Sequence, residues 1–182
     1  MARGRNETHH HFSTEKLTVT GQETDAVFFH KPEEPHGYLS NWYLSPFEID
    51  GVSYSSVEQY IMYRKCILFG DKESAAAVMA TDDTQKQQAI GRKARGYIPE
   101  IWDGIRQMVG FRGLLAKFSQ NEDLKQKLLD TGDAWLVECA ATDKIWACGV
   151  RLNDEKRHDA ANWTGRNILG FALMEVREML RK

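Results

Sequence analysis

No apolar run in this 182-residue chain approaches the ~20 residues needed to cross a bilayer, and its start carries no apolar segment of the secretory kind. Cysteine is scarce. Cys66, Cys139 and Cys148 are odd in number, widely spaced and without a CxxC pair, which argues against a disulfide framework or a structural zinc site. Reduced thiols predict an intracellular protein, cytoplasmic or nuclear. A GxGxxG fingerprint, a Walker loop and internal repeats are all missing. No His, Cys and carboxylate set has ligand spacing, and His9, His10 and His11 in a polar terminus lack a defined geometry, so no metal is expected. The net charge of −2 gives no general attraction to nucleic acid, leaving local clusters such as Arg92-Lys93-Ala94-Arg95 for phosphate contacts.

What is present suits one compact domain, with ordinary hydrophobic and charged fractions. Residues 50–71 carry the densest chemical information. Asp50-Gly51 lies between the β-prone segments Phe47-Glu48-Ile49 and Val52-Ser53-Tyr54, the pattern of a tight hairpin. A helix follows at once, and Ser55 with Glu58 three residues later fits a capping box. Steps of four and seven residues also bring Glu58, Met62 and Lys65 onto one helical face. Glutamate and lysine two turns apart are no direct i, i+4 pair, so the same face has room for a substrate between acid and amine.

Elsewhere the first strand is expected at Ala26-Val27-Phe28-Phe29-His30, and helices over 71–80, 84–90 with a stop at Gly91, 99–118, 121–131 and 168–180. Gly104, Gly110 and Gly113 mark a kink or a close helix approach in the long helix. Trp135-Leu136-Val137-Glu138-Cys139 reads as a strand, and 143–149 as a loop running into another. Asp143 is either a turn residue or a group handling a proton or ribose hydroxyl; Trp146 either fills the core or stacks on a ring. The polar stretch 151–163 reads as an exposed loop able to fold over a ligand. The start of the last helix, flanked by Gly165 and Gly170, offers N–H groups to a phosphate.

In order along the chain stand Gly37-Tyr38-Leu39-Ser40-Asn41, Pro46-Phe47, Gly51-Val52-Ser53-Tyr54 with Glu58-Gln59-Tyr60, Lys65, and Phe69-Gly70-Asp71. Gly91-Arg92, Lys117-Phe118, Gln120-Asn121, Leu129 with Thr131-Gly132, Asp143-Lys144-Ile145-Trp146 and Asn167-Ile168-Leu169-Gly170 continue the series. This order and spacing resembles the NADAR (YbiA-like) family. The resemblance implies an α+β fold, a single compact domain mostly helical around a small β-sheet, over 25–182, with 1–24 as a flexible polar N-terminal extension. It also implies an N-glycosidase without cofactor, whose expected partner is nucleic acid ADP-ribosylated on guanine, or ADP-ribose; a monomer is plausible. Phosphorylated intermediates of riboflavin synthesis are the alternative substrate, and a non-catalytic ADP-ribose or NAD reader the second alternative.

By the same resemblance Lys65, Glu58 and Asp143 are the expected catalytic residues, and Trp146, Tyr38, Ser40, Asn41, Phe47, Gln59, Met62, Arg92, Gly149 and Asn167 the expected substrate-binding ones. The chain departs from the family at Trp146-Ala147-Cys148-Gly149, where the family pattern is Trp-Gly-x-Gly. A Cβ at position 147 implies a less close backbone approach to ligand.

Overall fold

The computed structural model describes residues 14–182; the expected N-terminal extension up to residue 13, with its histidines, lies outside the described residues. The sheet starts earlier than position 25. Strands β1 (Glu15–Val19) and β2 (Gln22–Phe29) pair antiparallel around a turn at Thr20 and Gly21, both at positive φ, so 15–24 belong to the sheet. β1 escapes sequence reading because it is mostly polar and buries only Leu17 fully.

Strand β5 (Trp135–Glu138) adds to β2 in parallel, giving the order β1-β2-β5. Both faces of this sheet are covered, which explains the unbroken apolar run Ala26-Val27-Phe28-Phe29. Val27, Phe29 and Leu136 face the main core, whereas Ala26, Phe28 and Val137 face a smaller one with Leu17, Cys139, Cys148 and Val150. The stretch 151–163 packs on this second side through two short 3₁₀ turns. Arg157 donates to Glu15 at 2.7 Å and His158 stands edge-on to Phe28, so this part of the segment packs over the sheet.

Between β2 and β5 runs the helical layer. The hairpin β3 (Phe47–Ile49) and β4 (Val52–Tyr54) turns at Asp50 and Gly51, both at positive φ, as the sequence predicts. Helix α1 (Val57–Leu68) follows, then α2 (Lys72–Met79) and α3 (Thr84–Arg92), then α4 (Pro99–Gln120) with proline in its first turn, and α5 (Glu122–Leu129). Helix α6 (Ile168–Leu180) closes the chain against α4 and β5. Gly91 does not stop α3. A Cβ there would stand 2.2 Å from Met62 Sδ, so this glycine lets α3 lie directly on α1. Gly113 does the same for α4 against Tyr60, and α4 runs unbroken past both its other glycines.

Buried polar side chains fix the connections. Arg177 on α6 donates to Thr131 Oγ1 at 2.7 Å and to the Ala134 carbonyl at 2.9 Å, tying the α5–β5 turn to the core. Lys117 on α4, fully buried, donates to the carbonyls of Tyr38 at 2.7 Å and Ser40 at 3.0 Å, which pins the loop entering the cleft described below. Burial pushes its amine down from 10.5 to about 7, and a neutral amine still satisfies both carbonyls. Lys117→Met leaves the Tyr38 carbonyl unpaired, while the Ser40 carbonyl keeps the Tyr43 N–H at 3.2 Å. It is expected to cost about 2 kcal/mol at pH 8 in urea denaturation, and an unchanged midpoint would show that the loop holds itself.

Candidate active site

A cleft of about 410 Å³ opens where α1, α3, α4, the end of β5 and three loops converge. From α1 come Glu58, Met62 and Lys65, the one-face set that helical periodicity predicts. The helix cap frees Glu58 for this position. Ser56, not Ser55, is the N-cap, accepting from the Gln59 N–H at 3.1 Å, while Gln59 Oε1 accepts from the Ser55 N–H at 2.8 Å. Glu58 has no part in that exchange, and its Oε1 is buried with no hydrogen-bond partner among the described residues.

Burial raises the Glu58 carboxyl from 4.5 to about 7, with Trp42 and Arg92 pulling it down and Asp143 pushing it up. Lys65, 7% exposed, moves the opposite way: burial lowers its amine, helped by Arg106 and Arg92 and opposed by Cys66 and Glu58. Its Nζ stands 4.0 Å over the Tyr97 ring, which fixes where the amine enters the cleft.

The loop after β2 contributes Asn41 and Trp42. The Asn41 carbonyl accepts from the Glu58 N–H at 2.9 Å, and its side-chain Oδ1 is buried without a partner among the described residues. Arg92 and Gln88 come from α3, Trp102 and Arg106 from α4. Arg106 is buried and ion-paired with Asp103, and its Nε has no partner among the described residues. The opposite wall is Thr142-Asp143-Lys144-Ile145-Trp146. Asp143 Oδ1 accepts from the N–H groups of Ile145 and Trp146, each at 2.8 Å, so it shapes the turn that presents the tryptophan. The indole rests on Gly110, where a Cβ would come within 2.8 Å of the ring.

Of the residues expected from the sequence, Lys65, Glu58, Asp143, Trp146, Asn41, Met62 and Arg92 all line the cleft. The others do not. Tyr38 donates its hydroxyl to the Lys127 carbonyl, and Ser40 Oγ accepts from the Trp42 N–H. Phe47 packs among Tyr54 and Tyr60, and the Gln59 amide donates to the carbonyls of Val78 and Thr81. Gly149, at positive φ, packs against Thr164 and Gly165. Asn167, wholly buried, bridges the Leu136 carbonyl and the Glu138 N–H.

No strand forms over 143–149. Its carbonyls at 144–147 instead accept from the N–H groups of 166–169, which occupies the N–H groups expected to receive a phosphate at the start of α6. Ala147 and Cys148 are wholly buried behind this wall, so the departure from the family pattern lies away from the cleft. Arg95 is held by Asp71 at 2.9 Å and by Glu73, leaving Arg92 as the guanidinium of that cluster in the cleft. Sequence reasoning missed Trp42, Gln88, Tyr97, Trp102, Arg106, Glu138, Thr142, Lys144 and Ile145 as lining residues. Most had no local signal; Lys144, Ile145 and Trp42 lie inside the quoted motifs or beside them.

The NADAR domain model matches residues 27–181. The chain belongs to the NADAR family. A NADAR relative, the N-glycosidase R617 of Acanthamoeba polyphaga mimivirus, is 36% identical over 165 residues, covering 86% of this chain and 97% of its own. The riboflavin biosynthesis protein VVA0006 of Vibrio vulnificus is 31% identical over 86% of this chain and 39% of its own length. Among solved structures, the NMR structure of YbiA from E. coli superposes with a TM-score of 0.71 at 27% identity, covering 86% of this chain and 84% of that one. These matches establish the α+β NADAR fold, and the relatives' names support N-glycosidase activity. Among the described residues no helix is long and apolar enough to cross a membrane.

Trp146 supplies a test of the cleft as a NADAR binding site. Gly110→Val displaces its indole and is expected to lower kcat/KM roughly 10²-fold with the fold intact, since a shift of this size misaligns a bound substrate. Unchanged kinetics would show that no ligand group rests on the ring.

Proposed function

We propose that this protein is an N-glycosidase that removes ADP-ribose from guanine bases of nucleic acid. The observation carrying this reading is the pairing, on one face of α1, of a buried amine lowered by its surroundings with a buried carboxyl raised by its own, one of whose oxygens has no partner among the described residues. Such environments, pushing an acid and an amine toward neutrality in one cleft, mark acid–base and nucleophilic chemistry.

Breaking a ribosyl C–N bond sends the bonding pair to nitrogen and leaves cationic charge on the sugar. The departing nitrogen takes a proton from an acid, the role open to Glu58. Neutral Lys65 then attacks the anomeric carbon, the ribose ring opens to a Schiff base, and water releases the sugar and restores the amine. Asp143, its Oδ1 committed to the turn, orients a ribose hydroxyl through its other oxygen. Trp42, Tyr97, Trp102 and Trp146 give flat surfaces for bases, and Arg92, Arg106 and Lys144 give cations for a pyrophosphate. Water is the only co-reactant, so no cofactor is invoked.

A second reading, a glycosidase of phosphorylated riboflavin-synthesis intermediates, is favoured by the likeness to VVA0006. Incubation with a guanine-ADP-ribosylated oligonucleotide, following free ADP-ribose, separates the two. Release supports the first. Release only from small phosphorylated ribosylamines transfers the activity to the second, and tight ADP-ribose binding without turnover on any of them makes the domain a reader.

A further inference from the structure

Glu138 is the one residue of β5 in the cleft, and among the described residues its Oε2 makes no hydrogen bond. Its structural work is done by its backbone. The N–H donates to Asn167 Oδ1 at 3.0 Å, the carbonyl accepts from the Cys148 N–H at 2.8 Å, and the residue pairs with Phe29 in the sheet. Strand alternation turns its side chain to the face of Leu136, the main-core side. There the apolar packing ends and the cleft begins. The carboxyl is therefore aimed into the cleft with its Oε2 sealed from solvent and without a partner among the described residues. A buried unpaired carboxyl is costly to keep, and a ligand group is the partner the site provides.

We infer that Glu138 is a catalytic residue of the reaction proposed above, the acid that passes its proton to the departing nitrogen. Glu58, on the same helix face as Lys65, then serves the amine and the hydrolytic water. This division rests on the N-glycosidase reading. It matches the two proton tasks to two walls: the leaving group takes a proton as the C–N bond breaks, and the ionised Glu138 regains one from solvent after release. Burial, with Asp143, Glu58 and Cys148 nearby, raises the Glu138 carboxyl well above its usual range, which keeps the proton available at neutral pH. Asp143, whose Oδ1 already accepts twice, is left to orientation.

The test is Glu138→Gln on N-ribosyl substrates whose leaving groups run from basic amines to a pyridinium, which departs neutral and needs no proton. The variant preserves every backbone contact and is expected to melt no lower than the wild type. Turnover is expected to fall about 10²-fold with basic leaving groups and to change little with the pyridinium. Formate added to Glu138→Ala should restore part of the loss. An equal fall on every leaving group, or no fall on any, overturns the assignment while the N-glycosidase reading stands on wild-type turnover. Wild type that cleaves none of the series overturns both.

Discussion

Lys65→Met is expected to lower turnover roughly 10³-fold, because no other amine in the cleft stands on the acid-bearing face of α1. The fold should be at least as stable, since the substitution removes a buried amine without unpairing any hydrogen bond made by it in the described structure. Borohydride added during wild-type turnover should fix the ribosyl group on Lys65 as a secondary amine, visible as a mass increment on the peptide containing it. The variant should show none. The amine attacks only when neutral, and its surroundings lower its pKa, so the rate should rise with pH through that lowered value. Arg106→Gln removes one lowering charge and should move this acidic limb to higher pH. Full turnover by folded Lys65→Met would refute covalent catalysis and leave water as the direct nucleophile.

The second large effect has opposite signs in activity and stability. Glu58 rises from 4.5 to about 7 in the fold, so between those values the native state holds a proton that the unfolded chain has released. Stability accordingly falls as pH climbs through this window, and above it the fold carries the whole cost of a buried anion. At ~1.4 kcal/mol per unit that cost is roughly 3 kcal/mol. Glu58→Gln escapes it. The variant is expected to melt several degrees above wild type at pH 8, to differ little at pH 4.5, and to lose about 10²-fold or more in turnover. Scanning calorimetry at both pH values decides: a lower melting temperature at pH 8 would mean that Trp42 and Arg92 hold the carboxylate well enough to favour the anion.

Much of the scaffold was legible because it follows local rules. The Asp50-Gly51 hairpin, the N-terminal proline of α4, the limits of α6 and the shared face of Glu58, Met62 and Lys65 rest on turn chemistry and helical period alone. Local rules failed where a distant partner decided the outcome. Gly91 looks like a helix stop, yet Met62 occupies the space its missing side chain leaves. The stretch 143–149 has strand composition, but its carbonyls bond to 166–169 rather than to a ladder. The side chain of Asn167 and the amide N–H groups of Gln59, within functional-looking motifs, are consumed by backbone groups 19 to 31 residues away. Conversely, Tyr97, Trp102, Arg106 and Glu138 had no motif to mark them, and only the convergence of α4 and β5 on α1 brings them to the cleft.

By itself the sequence determined which residues share a face or a turn, because those relations depend on φ, ψ and period within a few residues. The family motifs added which of them to suspect. What only the tertiary structure decided is the state of those groups. A carboxyl becomes an acid near neutrality, and an amine a nucleophile, when the assembled walls of a cleft strip away water and set other charges beside them. Glu58, Lys65 and Glu138 have their ionisation shifted by residues remote in the chain, through desolvation and Coulomb forces that no local pattern encodes.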